Sequence, residues 1–160
     1  MSQGVEWSLH VLLTLAWIDD DEPVRVSQLA AGHDLPTAYL NKQLQALVRA
    51  EILESLPGAR GGFRLAKPAS KITLMDVVAA IEGPQDAFRC TEMRRRGVGT
   101  ELPRPSFDGP CAISASMRRA ELAWRRELAG RTIADIQQEV DEYAPAAKRV
   151  TRHAYGRQSI

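Results

Sequence analysis

Apolar residues recur at helical spacing over residues 5–18 (Val5, Leu9, Leu12, Leu13, Ala16, Trp17), which predicts a first helix. The acidic residues 19–22 and Pro23 stop it. Ser27 is a candidate cap for a short second helix over residues 27–31, with Gly32 as its stop. Asp34, Leu35 and Pro36 read as a tight turn, and Pro36 suits the first turn of a third helix. There Leu40, Leu44, Leu47 and Val48 make the buried stripe, leaving Thr37, Asn41, Lys42 and Gln45 on other faces. The pattern then changes: residues 52–56 suit a strand, residues 57–62 a turn with three glycines and a proline, and Phe63, Arg64 and Leu65 alternate as a return strand. Helix, helix, turn, helix and hairpin in this order predict a winged helix-turn-helix.

Thr73 followed by Asp76 resembles a capping box ahead of a helix over residues 74–81, which Gly83 and Pro84 end. Residues 85–110 hold three glycines, three prolines and the run Arg94, Arg95, Arg96, and read as one long loop. Cys90 and Cys111 bracket it. Residues 112–128 suit one long helix, and Thr132 caps another with Ile133, Ile136 and Val140 on one side. From Ala144 the chain is basic (Lys148, Arg149, Arg152, Arg157) without an acid, and reads as a mobile tail. The expected division is a winged-helix domain over residues 1–83, a cysteine loop and long helix over 84–131, and a C-terminal helix and basic tail over 132–160. The fold class is mainly α with a small β-hairpin.

The 160 residues suffice for one core, and 44% apolar with 26% charged residues is a globular composition. Two cysteines exclude a disulfide-dense secreted scaffold. No apolar run approaches the ~20 residues of a membrane span, and no basic stretch precedes the first apolar one, so a cytoplasmic protein is expected. The net charge of +1 hides a division: residues 1–22 sum to −5, whereas residues 23–71 carry seven basic and three acidic residues. That basic excess suits a nucleic-acid face and equally an ordinary solvated surface. No nucleophile–base constellation or phosphate loop points to an enzyme.

The stretches PTAYLNKQL from residue 36, GARGGFRLAKP from residue 58 and ITLMDVVAAIEG from residue 72 together resemble the IscR/NsrR-type bacterial regulators, the Rrf-two family. The resemblance implies a cytoplasmic homodimer that binds a palindromic double-stranded DNA operator through paired winged helices. It implies a long C-terminal dimerisation helix crossing between subunits and, in many members, an iron–sulfur cluster on the cysteine loop. This chain departs from the usual three closely spaced cysteines: Cys90 and Cys111 have 20 residues between them and no middle cysteine exists. What remains, with Glu6-Trp7-Ser8-Leu9-His10, resembles the RsrR-type members, which carry a [2Fe–2S] cluster.

Each iron of such a cluster needs two protein ligands, and histidine can stand in for thiolate. Glu6 and His10, four apart, share a helix face. With the dimer the resemblance implies, Cys90 and Cys111 of one subunit and Glu6 and His10 of the other form a ligand set. Other readings stay open: a solvated Glu–His helix pair, a Cys90–Cys111 thiol switch, two buried hydrophobic thiols, or a zinc site on the same four groups. Trp7, between the two candidate ligands, is the candidate relay to the DNA-binding helices, which would make the protein a redox sensor. For DNA, residues 36–50 form the recognition helix, with Thr37, Tyr39, Asn41 and Lys42 as base-reading candidates; Tyr39 has core packing as its alternative. Arg60 at the wing tip is a candidate minor-groove or phosphate contact. His33 reads as structural or a phosphate neighbour, His153 as idle, and residues 94–96 as a solvated segment or a phosphate contact. A different class of function, a protein-interaction partner of an enzyme, remains a rival.

Overall fold

The computed structural model describes residues 1–18, 22–58 and 60–156. Asp19, Asp20 and Asp21 of the expected helix stop, Ala59 of the expected wing turn and Arg157 of the expected tail lie outside them. In chain order the elements are α1 (Gln3–Ile18), α2 (Val26–Gly32), α3 (Thr37–Arg49), β1 (Leu53–Leu56), β2 (Gly62–Leu65), α4 (Leu74–Glu82), α5 (Ala112–Ala129), α6 (Ile133–Tyr143) and α7 (Ala147–Ala154). They fall into two compact units: Met1–Pro84 with Leu128–Ile160, and Gln85–Glu127.

The first unit is built around α1. Its second half is buried on every side, Val11 through Ile18 without a break, as a core helix must be when neighbours cover it all round. Those neighbours are α3, α4, α6 and α7. The start of α2 differs from the expected Ser27 cap: the helix opens after Arg25, whose backbone N–H donates to the Gln28 side-chain oxygen at 3.3 Å. Between α2 and α3, Asp34 takes φ 52°, a left-handed conformation that Asp tolerates, while Leu35 N–H donates to Ala30 O at 2.9 Å. Pro36 then precedes α3, where its missing N–H costs no hydrogen bond. Leu40, Leu44 and Leu47 are wholly buried, as their spacing requires.

Strands β1 and β2 pair antiparallel, with Leu53 opposite Leu65 and Glu54 opposite Arg64. Arg64 Nε donates to Glu54 Oε2 at 2.9 Å across the hairpin. Val24, just ahead of α2, exchanges two backbone hydrogen bonds with Phe63, at 2.9 and 2.8 Å, and so fastens the hairpin to the helices.

Helices α4 and α6 begin alike. Asp76 N–H donates to Thr73 Oγ1 at 3.1 Å and Thr73 N–H returns a bond to the Asp76 carboxylate at 2.9 Å. Thr132 and Asp135 repeat the arrangement at 3.1 and 2.8 Å. The two starts are bridged: Leu74 N–H donates to Arg131 O and Ile133 N–H to Ile72 O, each at 2.9 Å. Thr73→Ala is therefore expected to cost about 1 kcal/mol. For a domain of this size that lowers the melting midpoint by roughly 2–4 °C. Thermal denaturation followed by circular dichroism measures it, and an unchanged midpoint would deny the cap a stabilising role.

Within the expected mobile tail, Ala147–Ala154 form α7, and Arg152 Nη1 donates to carbonyls at the end of α1, Trp17 O (3.3 Å) and Ile18 O. Trp17 Nε1 in turn donates to Asp141 Oδ1 of α6 at 3.1 Å. In the second unit, residues 85–110 carry three short 3-10 turns (Met93–Arg95, Gly97–Glu101 and Arg104–Phe107) ahead of α5.

Candidate functional site

The exposed face of α3 presents Thr37, Tyr39, Asn41 and Lys42, because the stripe Leu40, Leu44 and Leu47 turns the other side into the core. Tyr39 is not a core residue. It is 43% exposed and meets the half-buried ring of Trp7 edge-on, with centroids 5.1 Å apart and planes at 77°. This joins α1 to the first turn of α3 directly. One turn away the two helices approach more closely still: a Cβ on Gly4 would stand 2.9 Å from Cδ of the buried Gln43. Ser8 Oγ donates to Gly4 O at 2.7 Å and is wholly buried. Arg60 is exposed in the turn between β1 and β2, and Arg25 is exposed ahead of α2.

Glu6 and His10 flank Trp7 on α1, and both are exposed. The His10 ring lies 6.2 Å from that of His33, at the end of α2. His33 shares a 3.1 Å hydrogen bond with Thr14 Oγ1. Burial, and secondarily the neighbouring His10, hold the His33 imidazole below its ordinary pKa, so it stays neutral at neutral pH. His33 thus ties the helix-turn-helix to α1.

In the second unit Cys90 is exposed and Cys111 half-buried, and both are free thiols. Cys111 immediately precedes α5, and its carbonyl accepts the first helical bond from Ala115 N–H at 2.9 Å. Its thiol is held below the ordinary range chiefly by the backbone N–H of Ser114, then by that of Ile113, by the Arg94 guanidinium and by a hydrogen bond with the Cys90 side chain; burial acts against them. The Cys90 side chain thus comes within hydrogen-bonding reach of the Cys111 thiol despite 20 intervening residues, and these surroundings ease its deprotonation.

Of the expected solvated segment, Arg95 and Arg96 are exposed and Arg94 is half-buried; Arg94 and Arg95 are paired within the loop. Their Nε atoms both reach the Glu92 carboxylate, at 3.1 and 3.2 Å, and both guanidinium groups lie over the Phe107 ring, at 5.6 and 5.7 Å. Arg94 Nη2 also donates to Gly109 O at 2.7 Å. These contacts fold the loop back on itself and close the gap between the cysteines. Nothing in the local sequence pattern announces Glu92 and Phe107 as their partners. Among the described residues no group of three or more His, Cys, Asp and Glu side chains converges as a metal site within one chain.

A helix-turn-helix with a solvent-facing polar third helix, buttressed by a hairpin carrying an arginine at its tip, defines a winged-helix DNA-binding protein. Known proteins agree. The sequence profile of the Rrf2 family, described as "Iron-dependent Transcriptional regulator", matches residues 1–139. Protein aau3 of Rhizobium meliloti is 38% identical over 136 residues, covering 85% of this chain and 83% of the relative. Among solved structures, the global cysteine regulator CymR of B. subtilis superposes with a TM-score of 0.68 at 22% identity, covering 87% of this chain and 96% of that one. IscR of T. potens gives 0.66 at 19% identity, with 90% of each chain covered. The chain belongs to the Rrf2 family of transcriptional regulators. No helix among the described residues is long and apolar enough to cross a membrane.

Proposed function

We propose that the protein is a cytoplasmic homodimeric regulator that binds a palindromic DNA operator and senses redox state through a [2Fe–2S] cluster. The observation that carries this reading is the paired cysteine site, with the Cys90 side chain reaching Cys111 at the open start of α5. Two thiolates meet the needs of one iron. Glu92 Oε1 lies 3.7 Å from Cys90 Sγ, but no three His, Cys, Asp or Glu side chains converge as a metal site among the described residues, and in this reading the other iron's two ligands come from the partner subunit. Glu6 and His10 of the partner subunit, exposed on one helix face, supply a carboxylate and an imidazole, as in the RsrR-type pattern. When bound, the cluster supplies reversible one-electron chemistry. Helix α5 supports the dimer: none of its 18 residues is buried, and Ile113, Met117 and Leu122 are 68%, 43% and 49% exposed.

The chain's own residues connect such a site to DNA. Trp7, between Glu6 and His10, touches Tyr39 of the recognition helix, so a change in the setting of α1 reaches Thr37, Tyr39, Asn41 and Lys42 through one ring contact and the close Gly4–Gln43 packing. Visible absorption and iron content of anaerobically purified protein test the reading. Brown protein with about two irons per site is expected, and colourless, iron-free protein would overturn it. The adjacency of the sulfurs also favours a second reading, a cluster-free Cys90–Cys111 disulfide switch, which thiol titration under oxidant would reveal.

At the wing, Arg60→Ala is expected to weaken binding to every DNA sequence alike. One lost phosphate contact in each subunit makes the slope of log affinity against log salt shallower by about 0.9 per subunit. Identical slopes for variant and wild type would remove Arg60 from the interface.

A further inference from the structure

Helix α7 sits on the DNA-binding unit with one face committed. Ala147, Thr151, Arg152 and Tyr155 are half-buried, spaced as one helical stripe. Arg152 holds the end of α1. Tyr155, the residue after the helix, lies against Gly32: a Cβ there would fall 2.1 Å from the Tyr155 hydroxyl oxygen. Gly32 is the last residue of α2, and only residues 33–36 separate it from the first turn of the recognition helix. The docked stripe therefore sets α7 beside the turn of the helix-turn-helix.

The other face carries Lys148, Arg149 and His153, all exposed. Neither Lys148 nor Arg149 has an ion pair among the described residues, and residues 144–156 contain no acid. Arg149 stands six residues before Tyr155, about 9 Å along a helix. A helix-turn-helix brings its turn and the start of its recognition helix to the groove, so the sugar-phosphate backbone runs past the elements beside that turn. From this juxtaposition, a docked helix whose exposed cations have no ion pair among the described residues, packed beside the end of α2, we propose that α7 is a further DNA-contacting element, with Lys148 and Arg149 gripping phosphates that flank the core operator. The inference rests on the DNA-binding reading above and extends it to a part of the chain outside the winged helix.

The test uses an operator duplex recovered from a random-sequence library by the full-length wild type. It is prepared trimmed to the protected core and extended by about one helical turn on each side. Lys148→Gln/Arg149→Gln is expected to keep the wild-type melting temperature and to match wild type on the trimmed duplex. On the extended one it should bind roughly tenfold more weakly, with a salt slope shallower by about 2 per subunit, for two lost phosphate contacts. Lys148→Arg/Arg149→Lys should restore wild-type binding, which a purely structural defect would not predict. Equal affinity and slope for wild type and the Gln variant on the extended duplex would overturn the proposal and leave the basic face to another partner. An equal loss on both duplexes would overturn the flanking position. A wild type that recovers no DNA from the library would instead overturn the DNA-binding reading itself.

Discussion

Cys111→Ala is expected to give colourless, iron-free protein that remains folded. Cys111 is one of only two cysteines in the chain, so no other thiol can take its place. Its sulfur accepts from the N–H groups of Ser114 and Ile113 at the open end of α5, where water can replace it, so the loss to stability is small. Function and fold therefore separate in this variant: visible absorption and iron content vanish while the thermal midpoint moves by no more than about 2 °C. Cys90→Ala should do the same, since its exposed side chain contributes little packing. Glu6→Ala/His10→Ala, altering the partner's contribution, should leave a labile or spectroscopically altered centre. Retention of full iron by Cys111→Ala would refute the ligand set, and an unchanged spectrum in the double variant would remove Glu6 and His10 from it.

Trp7→Ala should uncouple DNA affinity from redox state. The edge-on Trp7–Tyr39 pair is the one aromatic contact found between α1 and α3 among the described residues. Such pairs contribute about 0.5–1.5 kcal/mol beyond the area they bury. That sets a ceiling on what this contact can transmit. The affinity ratio between oxidised and reduced protein that depends on it is at most about tenfold per subunit, since 1.36 kcal/mol is one decade. Operator binding by one anaerobic sample before and after reduction, without loss of iron, measures the ratio. In Trp7→Ala the ratio should collapse toward one, and in Tyr39→Phe, which keeps the ring, it should persist. A Trp7→Ala protein with its iron intact and the full wild-type ratio would exclude Trp7 as the relay. Any ratio far above about tenfold per subunit would require a second route, for which the Gly4–Gln43 approach is the available packing.

What was legible in the sequence was local. The capping threonines 73 and 132 announce themselves because cap and acid lie three residues apart and bond to each other's backbone. The stripe of Leu40, Leu44 and Leu47 and the glycine-rich turn before Phe63 are equally short-range signals. The helix order of the winged helix followed from these alone. The cap at Arg25 was missed because a Gln side chain did the work that Ser usually does. Helix α7 was missed because its support is distant: Arg152 bonds carbonyls 134 and 135 residues away, and no local periodicity encodes that. The surroundings of the cysteines were illegible for a similar reason. Nothing local in the arginine run marks Glu92 and Phe107 as the partners that hold Arg94. The pairing of Trp7 with Tyr39 needed the crossing of two helices, which spacing along either one does not contain.

The dependence of α1 on α6 and α7 also sets an order of events during synthesis. Trp17 waits for Asp141, and the carbonyl of Ile18 waits for Arg152. At about 5–20 residues per second, the ribosome delivers those partners roughly 6–30 s after α1 has been made. For that interval a helix whose second half is wholly buried in the finished fold is only partly covered, however well the winged helix around it has formed. The nascent protein thus passes through a stage at which chaperone capture or aggregation competes with completion. Premature termination anywhere before residue 141 would hold it there.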